Sequence, residues 1–386
     1  MTRKKILHII TRLDAGGSAT NTIETVARLN KDRYDTSLIS GRTYDPDGRI
    51  ARELKDRGID CVFIDDLRRD INLWRDIKAF VRLYHIIAMG GYDLVHTHSS
   101  KAGILGRWAA WLAGVKHIIH TPHGHIFYGY FKRVVTLFFI LLERLTALIT
   151  ERIVCLTDIG ASDHIRFKIA GKEKFVTIYS GIDISLFRQA CPADIDKVKA
   201  GLGIAQGDFV FGTVTRLESV KGNRFLILAF ARVLSKSQGL KLLIVGDGSQ
   251  RLVLEKECSR LGISDSVIFA GMRKDVPVLL YIMDVFVLPS INEGMGRAVL
   301  EAMASGRAVV ASATGGIPEL VRDGIDGLLV PPADVDRLSD AMAELMLNSD
   351  KAKIMGEMAR RRAGDRFSVD RMVEDIERMY DSCFST

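Results

Sequence analysis

The five cysteines of this chain, Cys61, Cys155, Cys191, Cys258 and Cys383, are scattered, and no two form a CxxC pair. An odd, unpaired set excludes a disulfide framework and a zinc ribbon, and it fits a reducing, cytoplasmic setting. No apolar run reaches the ~20 residues that a membrane-spanning helix requires. The most apolar stretch, Val134 to Leu142, is cut off by Glu143 and Arg144. The opening MTRKKILHII is basic and then apolar, but it runs into TRLDAGG too early for a secretory leader. Short repeats and low-complexity tracts are also missing.

What is present is globular in composition, with 47% hydrophobic and 26% charged residues. A chain of 386 residues exceeds one ordinary core, so two domains are expected. Charge is uneven. Residues 1–190 carry 29 basic and 20 acidic side chains, a balance of +9; the remainder carries 25 and 27, a balance of −2. A basic half points to an anionic partner such as a lipid surface, a phosphorylated substrate or nucleic acid, or simply to a solvated basic face.

Short apolar runs alternate with helical patterns. KILHII, TSLIS, CVFID, LVHTH, HIIHT, RIVCLT and FVTIYS read as buried strands of a first parallel sheet. FVFGTVT, LKLLIVG, VIFAG, VFVLPS, AVVAS and GLLVPP read as a second set. The predicted class is α/β, with two Rossmann-like, doubly wound parallel-sheet domains facing a cleft at the carboxyl ends of their strands. The predicted bounds are 1–185 for the first domain, 186–366 for the second and 367–386 for a final helix.

Several strand-end motifs carry possible chemistry. Gly16 and Gly17 follow the first strand, where bare backbone and a helix N-terminus suit an anion, or merely a tight turn. LVHTHSSK places His96 and His98 at a strand end and Ser99 and Lys101 at a helix start, suited to a polyol or anion. A metal at the His-x-His pair lacks a third ligand at a convincing spacing. His120, His123 and His125 cluster with aromatics in HIIHTPHGHIFYGYF. His123, held between Pro122 and Gly124, is best placed to touch a sugar hydroxyl or developing charge. Core roles suit His120 and His125 equally well.

In the second half, Arg216 and Lys221 share one strand-to-helix loop and can clamp a diphosphate without a metal. They can also stabilise a phosphate leaving group. Gly246 and the segment Gly271, Met272, Arg273 lie at further strand ends, where backbone can hold a nucleobase. In INEGMGRAVLEAMASG, Glu293 sits in a loop and Gly294 and Gly296 bare the helix start. Glu301 lies roughly 7 Å farther along the helix axis at 1.5 Å per residue. Its neighbours Val299, Leu300, Ala302 and Met303 offer little polar company, and two vicinal hydroxyls would satisfy it.

Taken together, AGG, HTPHG, SGIDISLF, TRLESVKG, GDG and the Glu293-to-Glu301 spacing resemble glycosyltransferase family 4. These are retaining, nucleotide-sugar-dependent enzymes of the GT-B fold, and the resemblance covers nearly the whole chain. It implies that Arg216 and Lys221 hold the donor diphosphate and that Glu301 accepts from the ribose hydroxyls. Glu293, Gly294, Met295 and Gly296 would hold the transferred sugar, Gly16 and Gly17 would close on the phosphates, and His123 would assist at the sugar. It further implies no metal, no cofactor, and a final helix that crosses back to the first domain. The donor expected is UDP-linked ahead of GDP-linked.

Two positions depart from the family pattern: Arg297, where an apolar residue is usual, and Ser180, where Asn is common. The HSSKAGILGR and HGHIFYGYF segments resemble bacterial members that extend lipid-linked glycans for surface polysaccharide. That assigns His98, Ser99, Lys101 and His125 to the acceptor and Arg297 to the donor side. It also places the protein peripherally on the anionic inner face of the cell membrane. Transfer to a soluble, protein or lipid acceptor, a sugar phosphorylase, a nucleotide-sugar epimerase and a non-catalytic assembly partner are the rival readings on this fold. No nucleic-acid motif accompanies the basic charge, so nucleic acid is not an expected partner.

Overall fold

The computed structural model describes all residues except Met1, Ala15, Pro46, Asp47, 125–132 and Thr386, and it leaves the side chains of Arg49 and Arg133 undescribed. The chain divides into two compact units. Unit 1 comprises Met1–Gly181 and Val369–Thr386; unit 2 comprises Ile182–Ser368.

Unit 1 is built on seven strands. They are β1 (Lys4–Ile10), β2 (Tyr34–Gly41), β3 (Cys61–Ile64), β4 (Leu94–His98), β5 (His117–Thr121), β6 (Arg152–Cys155) and β7 (Phe175–Thr177). Their order is β3-β2-β1-β4-β5-β6-β7, and every pairing is parallel. The seven apolar runs of the first half are these strands. Both faces are covered by helices, so the strands read as nearly continuous apolar runs without alternation. Buried polar residues in such a strand must find partners. β4 is buried at all five positions, including His96 and His98.

The final helix, Val369–Phe384, belongs to unit 1. Val369, Met372, Val373, Ile376, Met379, Tyr380 and Cys383 recur at three- and four-residue spacing and form its buried stripe. They pack on Ile6, Leu94, Ile119 and Val154 of the sheet. Each such buried side chain contributes about 1.5–3 kcal/mol, so packing holds this helix to the sheet far more firmly than its surface ion pairs, such as Arg28 with Asp370, can. Ser180, the departure near the unit boundary, accepts a 2.8 Å bond from Asn21 Nδ2.

Unit 2 has six parallel strands: β8 (Phe209–Val214), β9 (Leu240–Val245), β10 (Val267–Gly271), β11 (Val285–Leu288), β12 (Ala308–Ser312) and β13 (Gly327–Val330). Their order is β10-β9-β8-β11-β12-β13. Its two ends meet: Ile182 N donates to Phe367 O at 3.0 Å.

Each sheet has one place where strand order reverses, between β1 and β4 in unit 1 and between β8 and β11 in unit 2. Loops leaving the carboxyl ends there splay apart and leave room for a ligand. In unit 1 these loops carry Gly16–Gly17 and Ser99; in unit 2 they carry Arg216–Lys221 and Glu293.

Candidate active site

In unit 2 the two switch-point loops are locked together by glycine. Gly222 has φ 68°, and a Cβ there would lie 2.0 Å from Pro289 O. Val220 O accepts from Ile291 N at 2.9 Å, which ties the β8 loop to the β11 loop. This close approach brings Lys221 Nζ to 2.6 Å from Glu293 Oε2, and Ser290 Oγ donates to the same oxygen at 3.1 Å. The two side chains are only 16% and 12% exposed. A third loop packs against the backbone of Glu293 and Gly294. Gly316 N donates to Gly294 O at 2.8 Å, and a Cβ on Gly315 would sit 1.7 Å from Glu293 O.

Arg216 lies in the same β8 loop, exposed, and makes no ion pair among the described residues. One fixed, partly buried cation and one extended, solvated cation are thus presented from one loop. That arrangement suits a diphosphate, whose bridging and terminal oxygens take a point charge and a guanidinium fork. Gly246 completes this end. Its φ is 126°, its N–H donates to Gly271 O at 2.9 Å, and a Cβ would meet Thr215 O at 2.0 Å. Met272 is exposed beside it. Arg273 forks onto Asp275, with Nε 2.8 Å from Oδ1 and Nη2 2.5 Å from Oδ2, so its guanidinium is engaged within the loop.

Glu301 stands on the helix Arg297–Ala304, which starts at Gly296 in the left-handed conformation. Contrary to the sequence expectation, it has polar company. Arg297, one turn earlier, donates from Nε to Glu301 Oε1 at 3.1 Å. Burial still raises the Glu301 carboxyl above the ordinary range, with Arg297 opposing the shift. Met295 is buried against the same turn. Arg297, the departure from the family pattern, therefore holds the carboxylate expected to bind hydroxyls.

In unit 1, Gly17 opens the helix Gly17–Arg28 after β1. A Cβ at Gly17 would meet nothing within 4 Å, so the unit itself does not demand glycine there. His123 follows β5 with φ 57°, an uncommon left-handed conformation for a side chain with a Cβ.

The residues expected to meet the acceptor have partners within unit 1. His98 is 1% exposed and both ring nitrogens are engaged, Nε2 3.0 Å from His8 Nδ1 and Nδ1 2.9 Å from His123 Nε2. It has no nitrogen left for an acceptor. Lys101 Nζ pairs with Asp76 Oδ1 at 2.7 Å and also contacts Asp70 O. Ser99 Oγ bonds Thr11 Oγ1 at 2.8 Å. Packing in the switch-point loops has used these groups internally. His125 lies outside the described residues.

Sequence spacing also missed His8 and Tyr380. His8 pairs in register with His96 on the neighbouring strand, which places ring nitrogens of His8, His96 and His98 within 4.8 Å of one another. The third histidine that the His-x-His pair lacked comes from β1, about ninety positions earlier. A buried histidine in a core strand was the available signal. No local pattern announces Tyr380, which reaches His96 from the other end of the chain at 2.6 Å.

Two parallel-sheet units, each with its loops at a reversal of strand order, and a lysine–glutamate pair at one of those reversals are the setting expected of a GT-B glycosyltransferase. Residues 15–186 match the model of Glycosyltransferase Family 4, and residues 194–362 that of Glycosyl transferases group 1. The chain is 31% identical over 97% of its length to the UDP-Gal:alpha-D-GlcNAc-diphosphoundecaprenol alpha-1,3-galactosyltransferase of Escherichia coli, of which 96% is covered. The chain belongs to glycosyltransferase family 4. It is also 26% identical to the capsular polysaccharide biosynthesis glycosyltransferase CapM of Staphylococcus aureus, covering 99% of this chain and 98% of CapM. The crystal structure of Anabaena HepE in complex with UDP-glucose superposes with a TM-score of 0.81 at 26% identity, over 98% of this chain and 99% of that one.

Proposed function

We propose that this glycosyltransferase moves a hexose from a UDP-sugar to a polyprenyl-diphosphate-linked saccharide at the anionic inner face of the cell membrane, without a metal. The observation that carries the reading is the Lys221–Glu293 pair beside Arg216, held by glycines at the switch point of unit 2. Supporting the donor are the UDP-glucose bound by HepE and the UDP-galactose in the name of the Escherichia coli relative. The same relative's name supports a lipid-linked acceptor.

In this reading Arg216 and Lys221 clamp the diphosphate, so no metal has to neutralise it. Glu293 and the backbone of Gly294–Gly296 hold the sugar, Glu301 the ribose hydroxyls, and His123 acts at the sugar. Transfer proceeds on one face of the sugar. The bond from the anomeric carbon to the diphosphate breaks, the acceptor oxygen bonds that carbon from the same side, and the acceptor proton goes to a diphosphate oxygen. Arg216 and Lys221 stabilise the charge that develops on the leaving group. The test is transfer from UDP- and GDP-sugars to a polyprenyl-diphosphate saccharide in EDTA, followed by mass spectrometry. Turnover with UDP-sugars in EDTA is expected; failure with every donor on this acceptor class sinks the reading.

Glu301 must be ionised to accept two hydroxyls. Because burial raises its folded-state value, acidification weakens donor binding at a pH above the ordinary carboxylate range. Glu301→Gln should raise the donor KM about 10- to 100-fold, the loss expected for charged hydrogen bonds, leave kcat nearly unchanged and flatten this pH dependence. Titration calorimetry between pH 4 and pH 8 checks it; an unchanged KM counts against the assignment.

The membrane reading has its own geometry. On the helix Arg133–Leu148, Glu143 turns inward to Arg107, 2.7 Å away, and Arg144 bonds Phe167 O. The outward face keeps Val134 (78% exposed), Leu137, Phe138 (61%), Leu141, Leu145 and Leu148 (76%). No helix among the described residues is long and apolar enough to cross a membrane. An exposed apolar stripe on a basic unit suits a lipid surface that it enters only shallowly. Flotation with phosphatidylglycerol vesicles should capture the protein, less so at high salt. Leu137→Glu with Phe138→Glu should lower the bound fraction at least about tenfold, since each buried apolar side chain is worth about 1.5–3 kcal/mol. Equal flotation of variant and parent would remove the stripe from the account.

A further inference from the structure

Six polar side chains of unit 1 form one unbranched hydrogen-bonded chain. Thr121 Oγ1 lies 2.8 Å from His96 Nε2, and His96 Nδ1 lies 2.6 Å from the Tyr380 hydroxyl. That hydroxyl is 3.5 Å from His8 Nε2. His8 Nδ1 is 3.0 Å from His98 Nε2, and His98 Nδ1 is 2.9 Å from His123 Nε2. His123 Nδ1 ends the chain, buried and without a partner among the described residues. His120 stands aside, bonded to Thr97 Oγ1 at 3.0 Å.

The chain has a direction. Burial pulls all four imidazoles below their ordinary range, His8 and His123 to about 3, so each is neutral. A neutral imidazole has one N–H and one lone pair, and each link therefore passes its sense to the next. Tyr380 has a single proton, which burial keeps in place. Hydroxyl donors approach more closely than N–H donors, with modes of about 2.7 and 2.9 Å. The 2.6 Å contact to His96 therefore takes the Tyr380 proton, and His96 donates from Nε2 to Thr121. Toward His8, the Tyr380 oxygen offers only lone pairs, so His8 keeps its proton on Nε2. His8 Nδ1 then accepts from His98 Nε2–H, and His98 Nδ1 accepts from His123 Nε2–H.

The opposite sense would turn the Tyr380 proton from the 2.6 Å contact with His96 onto the 3.5 Å contact with His8. It would also bury an unanswered N–H on His123 in place of a lone pair, and orphaned buried N–H groups are the rarer of the two.

We propose that Tyr380, His8 and His98 form a tautomer relay that fixes His123 as its Nε2–H form and presents Nδ1 as a buried acceptor for a ligand hydroxyl. For the identity of that hydroxyl, one on the bound sugar, the proposal rests on the function proposed above; the tautomer stands independently. Tyr380, His8 and His98 are positioning residues that act through His123. A bare lone pair selects a group that can donate, so replacing the contacted hydroxyl with fluorine forfeits the bond.

The experiment is nitrogen-15 NMR of the full-length protein labelled at its nine histidines, with His123→Gln used to identify the His123 signals. In the wild type, His123 Nδ1 is expected to resonate as an unprotonated ring nitrogen and Nε2 as a protonated one. Tyr380→Phe, verified as folded by thermal unfolding, should turn His123 into a mixture of tautomers. An Nδ1–H form in the wild type overturns the relay. So do His123 shifts unmoved by Tyr380→Phe, or a stoichiometric metal ion bound by His8, His96 and His98. If the tautomer is as proposed but UDP-sugar leaves the Nδ1 signal unmoved, the relay is supported and the sugar contact of His123 fails.

Discussion

Glu293→Gln is expected to lower kcat roughly a thousandfold while the protein stays folded. The carboxylate is largely buried, 2.6 Å from Lys221 and 3.1 Å from Ser290 Oγ. Glutamine keeps its shape and can still accept from Ser290, but it removes the charge that positions the ammonium. Lys221 is then free to swing, and the sugar loses the group proposed to grip it. Removing one preorganised electrostatic partner typically costs about 10²–10³ in kcat, and this change disturbs two groups together. Donor KM should rise far less than kcat falls, because the contacts proposed for Glu301 with the ribose and for Arg216 with the diphosphate are left in place. Single-turnover measurements with saturating donor check this. Wild-type turnover in Glu293→Gln would end the assignment of Glu293 to the reacting sugar.

Gly315→Ala should be the most damaging small substitution in unit 2. Its φ of 53° strains any residue with a Cβ, and that Cβ would lie 1.7 Å from Glu293 O. The obstacle is backbone, so no side chain can step aside. Left-handed strain of about 1–2 kcal/mol and overpacking of about 1–3 kcal/mol together give roughly 3 kcal/mol. For a domain of this size that corresponds to a fall in Tm of about 6–12 °C. Activity should also collapse, since the Glu293 loop must move away. Gly324→Ala is the matched control. Its φ is 74°, but a Cβ there meets nothing within 4 Å, so only the strain of about 1–2 kcal/mol remains and activity should be kept. Equal Tm losses in the two variants would show that the contact with Glu293 O does not matter.

The sheets were legible because parallel strands covered on both faces are written as short apolar runs, and all thirteen stand out from their helical surroundings. The unit 2 loops were legible because glycine at a close approach has no substitute, as at Gly222 and Gly296. Glu293 and Lys221 could be placed in neighbouring loops, but their ion pair could not be read from spacing. The two residues come from different sides of a strand-order reversal. The partners of His98 could not be read for a related reason. Its strand-end position resembles that of a ligand-contacting residue, yet its partners, His8 and His123, lie on other segments. Tyr380 was invisible in this sense, since its partner His96 lies 284 positions away, on the sheet that the final helix covers. Glu301 was read as isolated because its flanking residues are apolar, whereas a helix brings residue i−4, here Arg297, alongside.

The final helix gives the chain an order of completion. Unit 2 occupies one unbroken stretch, Ile182–Ser368, whereas unit 1 is finished only by Val369–Thr386. During synthesis, everything unit 2 needs has emerged while Ile6, Leu94 and Ile119 still lack the seven side chains that cover them. The segment made first is thus the last to be sealed, and the stroke that seals it also delivers Tyr380 to His96. A nascent or clipped chain without Val369–Thr386 would carry an intact unit 2 and an open sheet in unit 1, which is the form that chaperones and proteases act on.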